Sequence, residues 1–257
     1  MSHNFKKKFG QNFLKDKNIL KKIVSLTPLN KDDLVIEIGT GEGDLTEILS
    51  QNAKNVITYE IDEDLKDTLE SKFVNRNVDI KFKDFLKTNL KEDINNYVYN
   101  NIYVIANIPY YITTSIIMKI IDEDINVKTM ILLMQKEVGE KLVDSKNSAT
   151  KIIYDYFFDI KKQFLIKKNL FFPIPKVDSI ILEFDRKEYI DINKEEFKNF
   201  IYDCFQYKRK TLKNNLKNYN LSEVERLLNL RNKSLNNRAE DLDINDFTFL
   251  YLNLFKQ

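Results

Sequence analysis

The sequence holds one cysteine, Cys204, and one histidine, His3. A lone cysteine excludes an internal disulfide, and its expected role is a small apolar filler on a helix over 195–205. One histidine and one cysteine cannot assemble a typical zinc site, so no metal is expected. A histidine-activated nucleophile is also unexpected, because His3 stands in a terminal segment. No apolar run is long enough to span a bilayer, and Met1-Ser2-His3-Asn4-Phe5-Lys6 lacks an apolar signal core. A cytoplasmic protein with no membrane partner is therefore expected. Neither charge dominates: 41 Lys+Arg stand against 39 Asp+Glu, a net charge of +2, which by itself does not point to nucleic acid. Glycine is scarce, with five in the chain, so three of them at alternate positions, Gly39, Gly41 and Gly43, stand out.

The length of 257 residues accommodates a full α/β domain plus a smaller one, and 43% hydrophobic with 31% charged residues fits a globular chain. Residues 1–30 read as an N-terminal arm followed by a helix near 16–26, stopped by Pro28. From 31 to 188, strand and helix patterns alternate, the mark of a mainly parallel sheet. The strands are expected at 34–38, 56–59, 79–83, 102–106, 129–134, 162–166 and 179–184. The last two make an antiparallel edge whose connecting loop is stiffened by Pro173 and Pro175. From 189 to 257 the strand signals vanish and short amphipathic helices follow, at 194–205, 211–217, 222–228 and 245–254. Ser222 with Glu225 matches a capping box.

Chemistry gathers at the ends of successive strands. Val35-Ile36-Glu37-Ile38 runs into the glycine loop Gly39-Thr40-Gly41-Glu42-Gly43, and a helix opens behind it. Such a loop lets backbone approach a ligand closely. The next strand ends in Glu60, placed to accept hydrogen bonds from ribose hydroxyls, and the third delivers Asp84, placed to accept from an adenine amine. The fourth, Ile102-Tyr103-Val104-Ile105-Ala106, leads into Asn107-Ile108-Pro109-Tyr110-Tyr111-Ile112-Thr113. An Asn-x-Pro-Tyr loop offers an amide, a backbone carbonyl made rigid by proline, and an aromatic face. That set suits a flat base with an exocyclic amine. A plain strand-to-loop turn is the alternative for this motif alone, but polar groups at four successive strand ends favour a nucleoside cofactor. A nicotinamide oxidoreductase accounts for the glycine loop and leaves the Asn-x-Pro-Tyr loop unexplained.

On these residues the chain resembles the KsgA-type ribosomal RNA adenine N6-dimethyltransferases. Phe9-Gly10-Gln11-Asn12-Phe13-Leu14 is similar to that family's N-terminal cofactor motif, 37–46 to its first glycine motif, 107–110 to its catalytic motif, and Phe171-Phe172-Pro173-Ile174-Pro175-Lys176-Val177-Asp178-Ser179 to the segment after it. Residues 208–216 and 238–242 resemble its C-terminal signatures. Thr40 departs from the proline usual in the glycine loop, Lys141 from an arginine, and 148–153 from the family pattern. The resemblance implies a Rossmann-like class I methyltransferase domain with S-adenosyl-L-methionine as methyl donor. It implies cofactor contacts from Asn12, Leu14, Gly39, Gly41, Glu60, Asp84 and Asn107, and a base gripped by Asn107, Pro109 and Tyr110, with Phe171 as a second aromatic wall. Tyr111 and Phe172 either touch the base or pack in the core.

Charge distribution adds a partner. Lys6, Lys7, Lys8, Lys15, Lys17, Lys21 and Lys22 cluster against Asp16 alone, and 206–219 holds Lys208, Arg209, Lys210, Lys213 and Lys217 with no acid. Two basic clusters flanking the chemistry suit RNA phosphates, with a solvated lysine-rich face as the alternative. The expected partner is small-subunit ribosomal RNA in an immature ribosomal subunit, bound by a monomer, with Lys208, Arg209, Lys210 and Lys213 as RNA contacts. The expected reaction is N6-dimethylation of two adjacent adenosines. Large-subunit RNA methylation conferring macrolide resistance, and a non-catalytic RNA-binding assembly factor, are the competing readings.

Overall fold

The computed structural model describes residues 12–107, 112–190 and 192–255. Two compact units divide it: one takes the chain up to Lys141 together with Ile160–Arg186, the other takes Leu142–Asp159 and the chain from Lys187 onward.

The first unit begins with β1 (Phe13–Leu14) and α1 (Lys17–Val24). Asp16 caps α1 by accepting from the backbone N–H of Asn18 and Ile19. Then come β2 (Leu34–Ile38), α2 (Asp44–Asn52), β3 (Asn55–Glu60), α3 (Lys66–Phe73), β4 (Val78–Phe82), α4 (Leu90–Ile94), β5 (Ile102–Asn107), α5 (Thr113–Asp122) and β6 (Val127–Gln135). Helix α6 (Lys136–Asp144) carries the boundary into the second unit, where α7 (Ala149–Phe157) follows. The chain returns to the first unit in β7 (Phe158–Ile166), β8 (Phe171–Phe172) and β9 (Ser179–Arg186).

Seven strands form one sheet in the order β4-β3-β2-β5-β6-β9-β7. The pairs β2/β3, β2/β5, β3/β4 and β5/β6 are parallel, and β6/β9 is antiparallel. Side-chain bonds from Lys161 to Asp185 and from Gln163 to Glu183 run in opposite numbering, so β7 lies antiparallel to β9 at the edge. Strand β2 is buried at all five residues, as expected of a central parallel strand covered on both faces. The order steps outward from β2 to β4 on one side, then restarts at β5 on the other. That reversal makes a crevice at the carboxyl ends of β2 and β5, where open α/β sheets hold their ligands. All seven expected strands are present.

The second sheet, a two-stranded ladder, gave no periodic signal in the sequence. In it β1 pairs antiparallel with β8, Phe13 opposite Phe172 and Leu14 opposite Phe171.

In the second unit α7 is followed by α8 (Lys194–Phe205), α9 (Leu212–Asn215), α10 (Leu221–Asn229) and α11 (Ile244–Phe255). Their core is aromatic, with Tyr156 against Phe197 at 4.8 Å, Phe197 against Tyr251 at 5.2 Å and Tyr251 stacked on Phe255 at 5.0 Å between centroids. Helix α7 packs against α8 and α11, with Tyr156 meeting Phe197, and so groups with these helices, although the sequence reading ran 31–188 as one domain. Cys204 is fully buried on α8, as a small core filler. The expected Ser222–Glu225 capping box is not formed. Asn220 caps α10 through the Glu223 N–H, and the Glu225 carboxylate instead accepts from the Leu235 N–H.

Candidate active site

A cavity of about 240 Å³ opens at the carboxyl ends of β2, β3, β4 and β5. Asn12, Leu14, Gly39, Gly41, Glu60, Asp84 and Asn107 all line it. Parallel register brings them together. Ile38 pairs with both Tyr59 and Ala106, so the residues leaving β2, β3 and β5 emerge side by side.

The glycine loop is shaped by close approach. Gly39 has φ +86°, and a Cβ there would stand 3.2 Å from the Asn107 carbonyl oxygen. Gly41 has φ +56°, and a Cβ would meet the Phe13 ring at 2.7 Å. Both positions therefore require glycine, for backbone angle and for room. The Glu60 carboxylate clasps this loop: Oε2 accepts from the Gly41 N–H at 2.8 Å, and Oε1 accepts from the Ile61 and Asp62 N–H groups at 2.9 Å each. Burial pushes its pKa up, opposed by those three backbone donors. An ionised carboxylate has about four acceptor positions, so one remains for a ligand hydroxyl. Asp84 turns into the chain after β4, where Oδ1 accepts from the Leu86 N–H at 3.0 Å while the residue borders the cavity.

Below the loop, Glu37 is fully buried. Its Oε2 accepts from Thr46 at 2.6 Å and from Thr58 at 2.7 Å. Thr58 spends its proton on Glu37, so Thr40, at 2.6 Å, donates to Thr58. A hydroxyl chain thus ties the loop to β3. Burial pushes Glu37 up to about 8, with the Thr46 and Thr58 donors opposing and Glu60 adding repulsion, so it keeps its proton at neutral pH.

Asn107 ends β5. Its Nδ2 donates to the Asn12 backbone carbonyl at 3.1 Å, which leaves Oδ1 as an acceptor on the cavity wall. The arm carrying Asn12 is held by three further contacts. Phe13 lies against Gly41, β1 pairs with β8, and Lys15 forms ion pairs with Glu42 and Asp44. The sequence reading placed Phe13 in the cofactor motif and Lys15 in a basic cluster suited to RNA, but gave neither its role in holding the arm. Their partners lie about thirty or more residues away, and no local pattern announces them.

Pro109, Tyr110 and Tyr111 lie outside the described residues. Phe171, expected as an aromatic wall, is 2% exposed and packs in the core with Leu14 and Ile166, away from the cavity lining. Side chains alternate along a strand, so its neighbour Phe172 faces outward and is 55% exposed. Lys208, Arg209, Lys210 and Lys213 are exposed in the second unit.

The sheet order, the glycine loop and the acids closing β3 and following β4 define a class I methyltransferase. Cavity and acceptors fit S-adenosylmethionine: the glycine loop borders the cavity, and buried Glu60 keeps an acceptor open. The chain belongs to the ribosomal RNA adenine dimethylase family, whose model matches residues 2–255. It is 40% identical to a ribosomal RNA small subunit methyltransferase A of Mycoplasma mobile, over 99% of this chain and 100% of that protein. A relative of the same name in Mycoplasmopsis synoviae is 39% identical, over 98% and 99%. Among solved structures, a dimethyladenosine transferase from Plasmodium falciparum is similar at TM-score 0.77 and 29% identity, covering 93% of this chain and 96% of that one. The 23S rRNA methyltransferase ErmE shares the fold at TM-score 0.74 and 24% identity, over 94% and 99%.

Replacing Glu60 with Ala removes the loop clasp and the remaining acceptor together. Calorimetry should show S-adenosylmethionine binding weakened by about 1–3 kcal/mol. Wild-type affinity in this variant would remove Glu60 from the cofactor site.

Proposed function

We propose that this protein dimethylates N6 of two adjacent adenosines in small-subunit ribosomal RNA, in the cytoplasm, as a monomer acting on an immature subunit. The observation that carries the reading is the amide of Asn107, fixed by the Asn12 carbonyl with Oδ1 left to accept at the cavity wall. The names of the relatives at about 40% identity over nearly their whole length favour the small subunit over the large.

Bound S-adenosylmethionine supplies the electrophilic methyl group. Gly39, Gly41, Asn12 and Leu14 would cradle it, Glu60 would take a ribose hydroxyl, and Asp84 the adenine amine. The target adenine leaves its stack at a cost of a few kcal/mol, offset by aromatic contact. Its N6 is a poor nucleophile because the lone pair is delocalised into the ring. Asn107 Oδ1 accepts one N6–H and the backbone at Pro109 the other, which favours a pyramidal nitrogen and returns the lone pair to it. Tyr110 stacks on one side of the base. Phe171 supplies the second aromatic wall, with its exposed neighbour Phe172 beside it. Holding amine and donor in line contributes several kcal/mol by orientation alone. After the first transfer one N6–H remains, and a single acceptor still orients the nitrogen. The sheet of 31–188, with Asn12 and Leu14 of the preceding arm, carries this chemistry, and the helical segment 189–257 carries RNA contacts.

Two measurements test the reading. Incubated with isotopically labelled S-adenosylmethionine and immature small subunits, the protein should yield N6,N6-dimethyladenosine at two adjacent positions by mass spectrometry. Label appearing only in free large-subunit RNA would reverse the assignment. Affinity for the small-subunit substrate should fall steeply with salt. Changing Lys208, Arg209 and Lys210 together to Ala should lower the slope of log affinity against log salt by roughly two to three units. A folded triple variant with an unchanged slope would take these residues out of the RNA contact.

A further inference from the structure

Residues 207–210 form a four-residue turn between α8 and α9, closed by the Lys210 N–H donating to the Tyr207 carbonyl at 2.8 Å. The buried amide of Asn215 pins the entry to this turn. Its Oδ1 accepts from the Tyr207 N–H at 3.1 Å, and its Nδ2 donates to the Cys204 carbonyl at 2.6 Å. Both backbone polar atoms of Tyr207 are thus engaged, and the residue is held before any ligand arrives.

The side chain behaves differently. In the same unit Tyr219 bonds Asp203, Tyr251 bonds Glu196, and Tyr156 bonds the Ile190 carbonyl. The Tyr207 ring is 50% exposed and makes no hydrogen bond, ring contact or cation contact among the described residues. Lys208, Arg209 and Lys210 follow it at once, all exposed and with no acid pairing them among the described residues. A single exposed aromatic needs no explanation by itself. One with a fixed backbone, an unengaged ring and three unpaired cations beside it has the composition of a single-strand nucleic-acid platform, in which an aromatic face takes a base while cations take the phosphates. Because the turn is already ordered, little conformational freedom is lost on contact.

We propose that Tyr207 is a stacking platform for an unpaired nucleobase of the RNA whose phosphates engage Lys208, Arg209 and Lys210. The inference rests on the RNA-contact reading of that turn and adds to it a preference for single-stranded over paired RNA. Stacking needs a base with an open face, and bases inside a duplex offer none.

The test uses the full chain and two labelled probes, a single-stranded oligoadenylate and a fully paired RNA duplex of the same length, read by fluorescence anisotropy. Tyr207→Ala should weaken oligoadenylate binding about 5- to 100-fold, and Tyr207→Phe should restore it. Duplex binding and the salt slope should stay at wild-type values, since no phosphate contact is removed. Tyr202→Ala serves as control: Tyr202 is 46% exposed but precedes Asp203 instead of a cation run, and its loss should change nothing. The proposal fails if Tyr207→Ala binds oligoadenylate as wild type does, if it loses duplex affinity equally, or if Tyr202→Ala is as damaging. A reduced salt slope in the Lys208/Arg209/Lys210 triple variant with an inert Tyr207→Ala removes stacking alone. An unchanged slope in the triple variant removes the phosphate contacts and the stacking with them.

Discussion

The hydrogen bond from the Asn107 amide to the Asn12 carbonyl is the join on which the site depends. On one side stands β5, fixed in the sheet by parallel pairing to β2 and β6. On the other stands an arm with few local means of support. The arm holds its place through the Phe13 ring on Gly41, the two-residue ladder with β8 and the Lys15 ion pairs. Each contact is small, and the Lys15 pairs are partly exposed and weak in water. Together they keep the arm against the glycine loop, so one amide is aimed by a residue ninety-five positions away. The same arrangement leaves Gly39 and Gly41 no room for a side chain.

Glu37 and Glu60 stand near enough to repel if both were ionised. The structure separates their roles by environment. Glu60 faces three backbone donors and keeps an acceptor toward the cavity, while Glu37 is sealed below with hydroxyl partners and holds its proton. Thr40 links the two levels through Thr58. Among the described residues Glu37 Oε1 has no partner.

The sheet was legible because its central strands β2, β5 and β6 are largely apolar runs while edge strand β4 alternates, and the cavity residues were legible because parallel strands deliver their ends to one edge. What escaped was non-local or too short to show a period. A two-residue strand has no alternation to read, so β1 and β8 gave no signal and the inward face of Phe171 was invisible until its pairing with Leu14 was known. The capping box at Ser222 lost to Asn220, which lies two residues earlier and takes the Glu223 N–H. The assignment of α7 to the helical unit rests on Tyr156 meeting Phe197, a contact forty-one residues apart in sequence. In the basic turn, charge was visible from composition. Its fixed geometry was not, because it comes from the single buried side chain of Asn215.

The most direct test of the account is single-turnover methyl transfer by Asn107→Ala, measured beside calorimetric binding of S-adenosylmethionine to the same variant. If Asn107 acts on the reacting amine, transfer at saturating cofactor should fall on the order of 10²–10³-fold, as when one preorganised hydrogen-bonding group is removed from a reacting centre, beyond any loss of cofactor affinity from releasing the Asn12 arm. Transfer at the wild-type rate, or a rate loss fully explained by lost cofactor binding, would contradict it.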